Sequence, residues 1–168
     1  GVQYDVDFHN RKIEDAGFPG IPTYVPVPEP PKGYARLIYG RVPVHSFNRT
    51  QNNAWLHNEI PQNPVWINDE LAAAMGLNDG DEINLVNTEG VESSSTSVLK
   101  VTPGLRKDVI YTSHGYGSRN PQLSVASGAG LDDNSVISKR AVDPETGTHG
   151  MRNNFVRIIK NNTELDIP

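Results

Sequence analysis

A run of hydrogen-bonding side chains between residues 45 and 53 is the part of the sequence best suited to bind a polar ligand. The run, HSFNRTQNN, contains one apolar residue, Phe47, and one formal charge, on Arg49. Loops usually use Gly, Pro, Asp and Lys, whereas most of these side chains can both donate and accept hydrogen bonds. That chemistry suits a polar ligand with many atoms, although an ordinary solvated turn would also be polar.

The composition limits the class of protein. The 168 residues suit one domain, and the absence of cysteine excludes disulfides, thiolate metal sites and iron–sulfur clusters held by these residues. The net charge of −5 argues against a nucleic-acid partner, which needs a basic face. No apolar run approaches the roughly 20 residues that span a bilayer, so we expect no direct membrane insertion. A local cluster of Arg36, Arg41 and Arg49 could still hold an anion.

The surrounding pattern predicts several short strands and one or two small helices. The clearest helix begins at a cap on Asn68 or Asp69 and ends where Gly76 supplies a left-handed stop. The glycine-rich stretch from 115 to 130 carries no regular signal. Short apolar runs between turn signals indicate a mainly β barrel. The predicted strands are 35–40, 64–68, 82–86, 91–102, 105–113 and 154–159.

We divide the chain into three parts. Residues 1–32 contain six prolines and are predicted to form an extended arm, because proline fixes φ and removes backbone donors. Residues 33–160 are predicted to form the barrel domain, and residues 161–168 a tail. An arm of this kind more often crosses another surface than folds alone, so we expect the chain to be one piece of something larger.

Four segments, in their order along the chain, resemble a known family. They are YGRVPVHSFNRTQNN, INDELAAAMGLNDGDEINLVNTEG, VTPGLRKDVIYTSHGYG and NNFVRI. Together they resemble the C-terminal molybdopterin-dinucleotide-binding domain of the dimethyl-sulfoxide-reductase superfamily. The helix–turn–strand unit is typical of the whole superfamily. The segment GRVPVHSFNRTQNN is most similar to the thiosulfate and polysulfide reductase branch, with the respiratory arsenate reductases nearby.

The resemblance implies a fold, a cofactor and a set of cofactor-binding residues. The fold is a six-stranded double-psi β-barrel, as in aspartate decarboxylase, which closes over molybdopterin guanine dinucleotide. A pyrophosphate suits arginine and hydroxyl donors, and pterin edges suit amides. The loop at 45–53 and its approach therefore supply Arg41, His45, Ser46, Arg49, Thr50, Gln51 and Asn52. The HGYG loop near the substrate funnel and the late polar positions of the family add His114, Tyr116, Asn134 and Arg152.

The resemblance also implies what must surround these residues. Catalytic subunits of the family carry an N-terminal iron–sulfur domain, a metal-ligating Cys, selenocysteine or Ser, and two further cofactor-binding domains. We therefore expect no catalytic or metal-ligating residue here, with molybdenum or tungsten ligated elsewhere, and an inactive chain in isolation. The implied partners are the remaining domains of the catalytic subunit, an iron–sulfur electron-transfer subunit and a membrane anchor. The implied location is the periplasmic or another extracytoplasmic face of the membrane. The implied reaction is reduction of thiosulfate, polysulfide or a similar oxyanion.

Two other interpretations stay open. A double-psi barrel could serve as a non-catalytic protein-interaction or adaptor module, because a fold does not fix a function. The weaker alternative is a self-processing decarboxylase. The related barrel of aspartate decarboxylase cleaves itself at a Gly-Ser bond, and Gly117-Ser118 is such a dipeptide in this chain.

Overall fold

The computed structural model describes residues 15–17, 24–138, 141–143, 147–150 and 152–168. The helices are α1 (Ala54–Glu59) and α2 (Asp69–Ala74), and 3-10 turns occupy Phe47–Thr50 and Asp133–Val136. The strands are β1 (Ala35–Gly40), β2 (Val65–Asn68), β3 (Glu82–Asn87), β4 (Ser97–Thr102), β5 (Val109–Ser113), β6 (Ala141–Val142), β7 (His149–Gly150), β8 (Asn154–Lys160) and β9 (Thr163–Leu165). None of the helices in these ranges is long and apolar enough to cross a membrane.

Six of the strands close into a ring. The order of pairing is β1–β5–β2–β4–β3–β8, and β8 pairs back onto β1. The β1–β5 and β2–β4 pairs are parallel, and the other four pairs are antiparallel. The prediction of a mainly β chain with short helices is confirmed, and a closed ring leaves these six strands without an open edge between them.

One hydrophobic cluster connects the strands of the ring with helix α2. In β8 every second residue from Asn154 is buried, which follows from the alternation of side chains along a strand. Each large apolar side chain buried in this way contributes about 1.5–3 kcal/mol to folding. The almost fully buried members include Leu37, Ile67, Ile83, Leu85, Leu99, Ile110, Leu131 and Ile158.

Helix α2 forms where the sequence predicted it. Of the two candidate caps, Asn68 is the N-cap, and its side-chain oxygen accepts a hydrogen bond from the Leu71 amide at 3.1 Å. Gly76 has a φ of +67°, and the Leu77 amide donates back to the Ala72 carbonyl at 2.9 Å. These bonds satisfy backbone groups at both helix ends.

The strand predicted at 91–102 begins only at Ser97, and its first half is limited to a single antiparallel bridge between Glu92 and Val86. Serine side chains take part in the hydrogen bonds of this segment. The Ser93 hydroxyl accepts from the Leu85 amide at 3.1 Å, and the Ser94 amide donates to the Ser135 hydroxyl at 3.2 Å. Local side-chain bonds of this kind compete with regular pairing.

The strand predicted at 105–113 begins at Val109, so its first four residues were wrong. Arg106 forms two hydrogen bonds to the Asp108 carboxylate, at 2.9 and 2.7 Å. The Val109 amide also donates to the Arg106 carbonyl, at 3.4 Å, which closes a turn instead of a ladder. The predicted strands at 35–40, 64–68, 82–86 and 154–159 are confirmed to within a residue or so.

The two ends of the described chain meet at the ring. The segment predicted as a tail contains β9, which pairs with β8, and its Ile167 amide donates to the Gly33 carbonyl at 3.1 Å. In the predicted arm, residues 24–31 have no regular structure, and the Pro28 carbonyl accepts a hydrogen bond from Arg36. The remainder of the arm prediction, at 1–14 and 18–23, lies outside the described residues.

A buried asparagine joins the glycine-rich stretch to the ring. The Asn63 side chain donates to the Ser113 carbonyl at 2.6 Å and to the Leu131 carbonyl at 3.0 Å, and accepts from the Leu131 amide at 2.7 Å. Gly130 allows this approach, since a Cβ there would lie 2.4 Å from the Asn63 side-chain oxygen. The stretch from 115 to 130 contains no helix or strand, as predicted.

We expect Asn63→Ala to lower the free energy of unfolding by about 2–4 kcal/mol, because it leaves buried backbone groups without partners. Urea denaturation measures the loss. Asn84→Ala is the matched control, because the Asn84 amide bonds to Glu92 at the surface and should cost less than about 1 kcal/mol. Equal losses in the two variants would contradict a special role for Asn63.

Candidate functional site

The polar stretch folds into a loop that is held by its own side chains. The Ser46 amide donates to the Thr50 hydroxyl at 2.9 Å. The two ring nitrogens of His45 lie 3.3 Å from the Thr50 hydroxyl and 3.3 Å from the Ile60 carbonyl. His45 is buried, so His45 and Thr50 use their polar atoms to shape the loop. We call residues 45–53 the polar loop.

The polar loop is tied to the glycine-rich stretch by Asn52. Its side-chain oxygen accepts hydrogen bonds from the Val125 amide at 3.0 Å and from the Ala126 amide at 3.2 Å. This arrangement occupies the oxygen of Asn52. Its exposed position keeps the amide nitrogen accessible.

The Gln51 side chain is buried, and its amide group lacks good hydrogen-bond partners. It is 3% exposed, and neither its nitrogen nor its oxygen makes a well-formed hydrogen bond to a described residue. A weaker interaction with the Tyr116 hydroxyl remains. Burial raises the pKa of Tyr116, whereas the Gln51 contact lowers it. The Tyr116 hydroxyl itself donates to the Ile60 carbonyl at 3.1 Å. An amide buried this way costs free energy unless a ligand or water completes its bonding.

Aromatic rings and guanidinium groups form a layered stack beside the polar loop. The His114 ring lies between Tyr39, at 5.1 Å between centroids, and Phe47, which meets it edge-on at 5.3 Å. The Arg41 guanidinium lies 4.3 Å from the Phe47 centroid, and that of Arg152 lies 5.5 Å from the Tyr39 centroid. We call these five residues the ring stack. It unites Arg41, His114 and Arg152, which were predicted from three separate segments.

The arginines at this site have no carboxylate partners among the described residues. Arg41 and Arg152 contact aromatic faces, and Arg49 lies exposed at the end of the 3-10 turn with Ser46 nearby. By contrast, Arg157 is paired with Asp166 at 2.9 Å. Guanidinium groups without a carboxylate are ready to bind an anion.

A buried carboxylate supports the centre of the ring stack. The Asp133 side chain is fully buried, and its Oδ2 lies 2.7 Å from Nδ1 of His114. Its other oxygen has no partner among the described residues. Burial raises the pKa of Asp133, and the contact with His114 opposes that rise. The sequence analysis missed Asp133, because LDDNS looks like any solvated turn.

Two clefts flank the ring stack. One of about 480 Å³ is lined by residues 41–46 and Thr50. The other, of about 340 Å³, is lined by the Phe47–Asn48 segment, His114–Arg119, Asp132 and Asn134. We call this second one the glycine-lined cleft. Every predicted site residue except Gln51, Asn52, Arg49 and Arg152 lines one of the two. Within the described ranges, no three His, Asp or Glu side chains converge as metal ligands.

Most of the chain matches a known family in sequence. The family described as "Molydopterin dinucleotide binding domain" matches residues 35–155. The thiosulfate reductase molybdopterin-containing subunit PhsA of Salmonella typhimurium is 31% identical over 112 residues. That similarity covers 67% of this chain, and the chain spans 14% of the length of the relative.

A solved structure shares the fold. Acetylene hydratase from Pelobacter acetylenicus superposes with a TM-score of 0.68, at 20% sequence identity. The match covers 88% of this chain and 22% of the other. At that identity the likeness concerns the fold and not the reaction.

Gly115→Ala should disturb the packing of the glycine-lined cleft against the polar loop. A Cβ at Gly115 would lie 2.8 Å from the Asn48 nitrogen, and the φ of +102° strains any L side chain. We expect the free energy of unfolding to fall by about 3 kcal/mol or more, because strain and a backbone clash add. Urea denaturation provides the measurement.

Gly90→Ala is the control for the strain alone. Gly90 has a φ of +77°, and a Cβ there would meet nothing within 4 Å. We expect it to cost about 1–2 kcal/mol. If both variants lose the same stability, the close approach at Gly115 does not matter.

Proposed function

This chain belongs to the family of molybdopterin dinucleotide-binding domains, and from that membership we propose that its polar loop and ring stack bind the dinucleotide. Members of this family are domains of molybdopterin oxidoreductases, which are enzymes. The cofactor that the assignment supports is molybdopterin guanine dinucleotide. The observation that carries the proposal is the polar loop itself, which contains a buried amide without well-formed hydrogen bonds and lies beside arginines that have no described carboxylate partner.

The side chains of the site fit the chemistry of such a cofactor. Its pyrophosphate is an anion that guanidinium and hydroxyl groups bind well, and Arg41, Arg49 and Ser46 provide these groups. Its pterin and guanine carry donors and acceptors along flat edges, which a carboxamide such as that of Gln51 can match. When bound, the cofactor supplies two-electron chemistry at its metal, while this chain supplies binding and orientation.

Each of the other predicted residues either supports the polar loop or is assigned to contact with the cofactor. His45, Thr50 and Asn52 support the loop, because their hydrogen bonds fix its shape and attach it to the glycine-rich stretch. Tyr116 and Asn134 line the glycine-lined cleft, where we assign them to cofactor contact. We also assign Arg152 and His114, which both contact the Tyr39 ring, to cofactor contact.

We also propose that the strand ring is the six-stranded double-psi barrel. Two features support this assignment. The ring contains six strands, and two of its six pairings are parallel although no helix lies between β3 and β4 or between β4 and β5. Parallel neighbours need crossover connections, and three strands of the ring, β2, β3 and β4, lie between β1 and β5 in the sequence.

We propose further that the parent enzyme reduces thiosulfate, polysulfide or a similar oxyanion in anaerobic respiration. The support is the 31% identity to a thiosulfate reductase subunit and the polar-loop sequence. Because the chain spans 14% of that relative, we propose that the metal ligand lies on other domains. An iron–sulfur subunit, a membrane anchor and an extracytoplasmic location follow from the family resemblance as proposals.

A protein-interaction module is the rival function. Several apolar side chains are exposed, among them Trp55 at 85% and Tyr24 at 84%. Exposed apolar residues mark interaction surfaces when they form a patch. The same residues would be covered by other domains in a larger catalytic subunit, so binding of a nucleotide-pterin is the measurement that separates the two functions.

Arg49→Gln should weaken cofactor retention while leaving the fold intact, because Arg49 is exposed and has no described carboxylate partner. A charge-assisted contact is worth about 1.5–3 kcal/mol, so we expect about tenfold to a hundredfold weaker binding. The measurement is guanosine monophosphate released by acid hydrolysis, per polypeptide, from the purified enzyme that contains this chain.

Arg106→Gln is the matched control, because Arg106 is also exposed but is paired with Asp108 at 2.7 Å. It should leave cofactor content unchanged. Thermal unfolding of both variants shows whether the fold survives. If Arg49→Gln retains the full cofactor content, or unfolds the chain, the assignment of Arg49 fails.

A further inference from the structure

The His114–Asp133 pair has a geometry that the cofactor assignment does not explain. Asp133 is fully buried and makes one short contact, 2.7 Å to Nδ1 of His114. The His114 side chain is 21% exposed and lines the glycine-lined cleft. Its Nε2 has no hydrogen-bond partner among the described residues. One edge of the imidazole is thus held from inside, while the other is free to meet a ligand.

The surroundings hold the ring in this orientation. Tyr39 and Phe47 contact the His114 ring, and the His114 backbone amide donates to the Gly40 carbonyl at 3.0 Å. A buried carboxylate is costly without a partner, so the imidazole of His114 stabilises the Asp133 carboxylate. The carboxylate in turn orients the imidazole.

We infer that Asp133 is a positioning residue that holds Nδ1 of His114 in a hydrogen bond. The other ring nitrogen, Nε2, then becomes a proton-linked hydrogen-bond donor to an oxyanion in the glycine-lined cleft. The source of the oxyanion is the part of this inference that rests on the proposed function. The oxyanion is either the pyrophosphate of the dinucleotide or a small free anion that reaches the same cleft. Both present the same chemistry to the imidazole.

The linkage follows from counting protons on the pair. With one proton, the carboxylate of Asp133 accepts from Nδ1, and Nε2 carries a lone pair that repels an anion. With two protons, Nε2 carries a hydrogen wherever the shared proton lies between His114 and Asp133. Binding of an anion therefore favours the two-proton form, and the protein takes up as much as one proton on binding.

Charged and titratable neighbours act on this equilibrium from each packed element. Arg41 and Arg152 lie one layer beyond the aromatic rings and disfavour added positive charge. Arg119 lines the same cleft and acts in the same sense. Asp132 adds negative charge next to Asp133, and burial raises the pKa of Asp133. Tyr39 is the titratable group that contacts the His114 ring from β1.

The test is calorimetric titration of the full 168-residue chain with sulfate and, separately, with a diguanosine pyrophosphate diester. Neither anion titrates near neutral pH, so any proton taken up belongs to the protein. Measurement in two buffers of different ionisation enthalpy gives the number of protons. The titration covers about pH 5–8, the range in which histidine side chains change charge, and we expect proton uptake to approach one proton at some pH within it.

Two variants identify the groups responsible. Asp133→Asn retains an acceptor for Nδ1 but removes the charge, so binding at neutral pH should weaken about tenfold and proton uptake should move to lower pH. Asp132→Asn is the matched control, since it removes a neighbouring charge that does not bond to the imidazole, and uptake should persist. His114→Gln should bind without proton uptake, which tests the inference even if Asp133→Asn fails to fold.

Each outcome decides one question. Proton-linked binding of the diester identifies pyrophosphate as the ligand, and linkage with sulfate alone identifies a free oxyanion and removes support from the proposed function. If the diester binds without proton uptake, and His114→Gln binds it with the same affinity, this inference is overturned while the proposed function stands. The inference is also overturned if Asp132→Asn and Asp133→Asn behave alike, or if neither anion binds.

Discussion

The closure of the strand ring, by pairing of β8 with β1, is the constraint on which the site depends. In that pairing Leu37 lies opposite Asn154, which brings Arg152 to the Tyr39 end of β1. The parallel pairing of β1 with β5 places Gly40 beside Ser113. The segments that follow these two strands therefore leave the ring at the same edge. Arg41 and His114 follow directly after those residues. The ring stack is thus a consequence of two strand registers, and a slip in either one would disperse it.

The second requirement is close approach between chain segments that lack regular structure. Asn63 fixes the return of the glycine-rich stretch through three hydrogen bonds, and Asn52 fixes its middle part. Gly115 and Gly117 then bring backbone against backbone where any side chain would collide with Asn48 or Asp132. Loops positioned in this way on a rigid scaffold are where proteins usually place binding residues.

Local signals explain what the sequence could predict here. The cap at Asn68 and the stop at Gly76 lie within two residues of the helix they delimit, and β1, β2, β3 and β8 have clear apolar patterns. The late starts of β4 and β5 depend on bonds to distant or charged side chains, which a local pattern does not reveal. Asp133 depends on a partner 19 residues away, so no spacing rule could have singled it out.

Several energetically costly features of the structure lie where the polar loop meets the ring stack. Phe47 has a φ of +51°, the Gln51 amide lacks good partners, and Asp133 is buried beside a single imidazole. Features of this kind cost on the order of 1–3 kcal/mol each, and the rest of the fold must offset them. The ring core, by contrast, consists mainly of buried aliphatic side chains in one cluster. Because a stability-optimised chain would remove such costs, their presence at this edge of the ring supports the proposal that this edge binds a ligand.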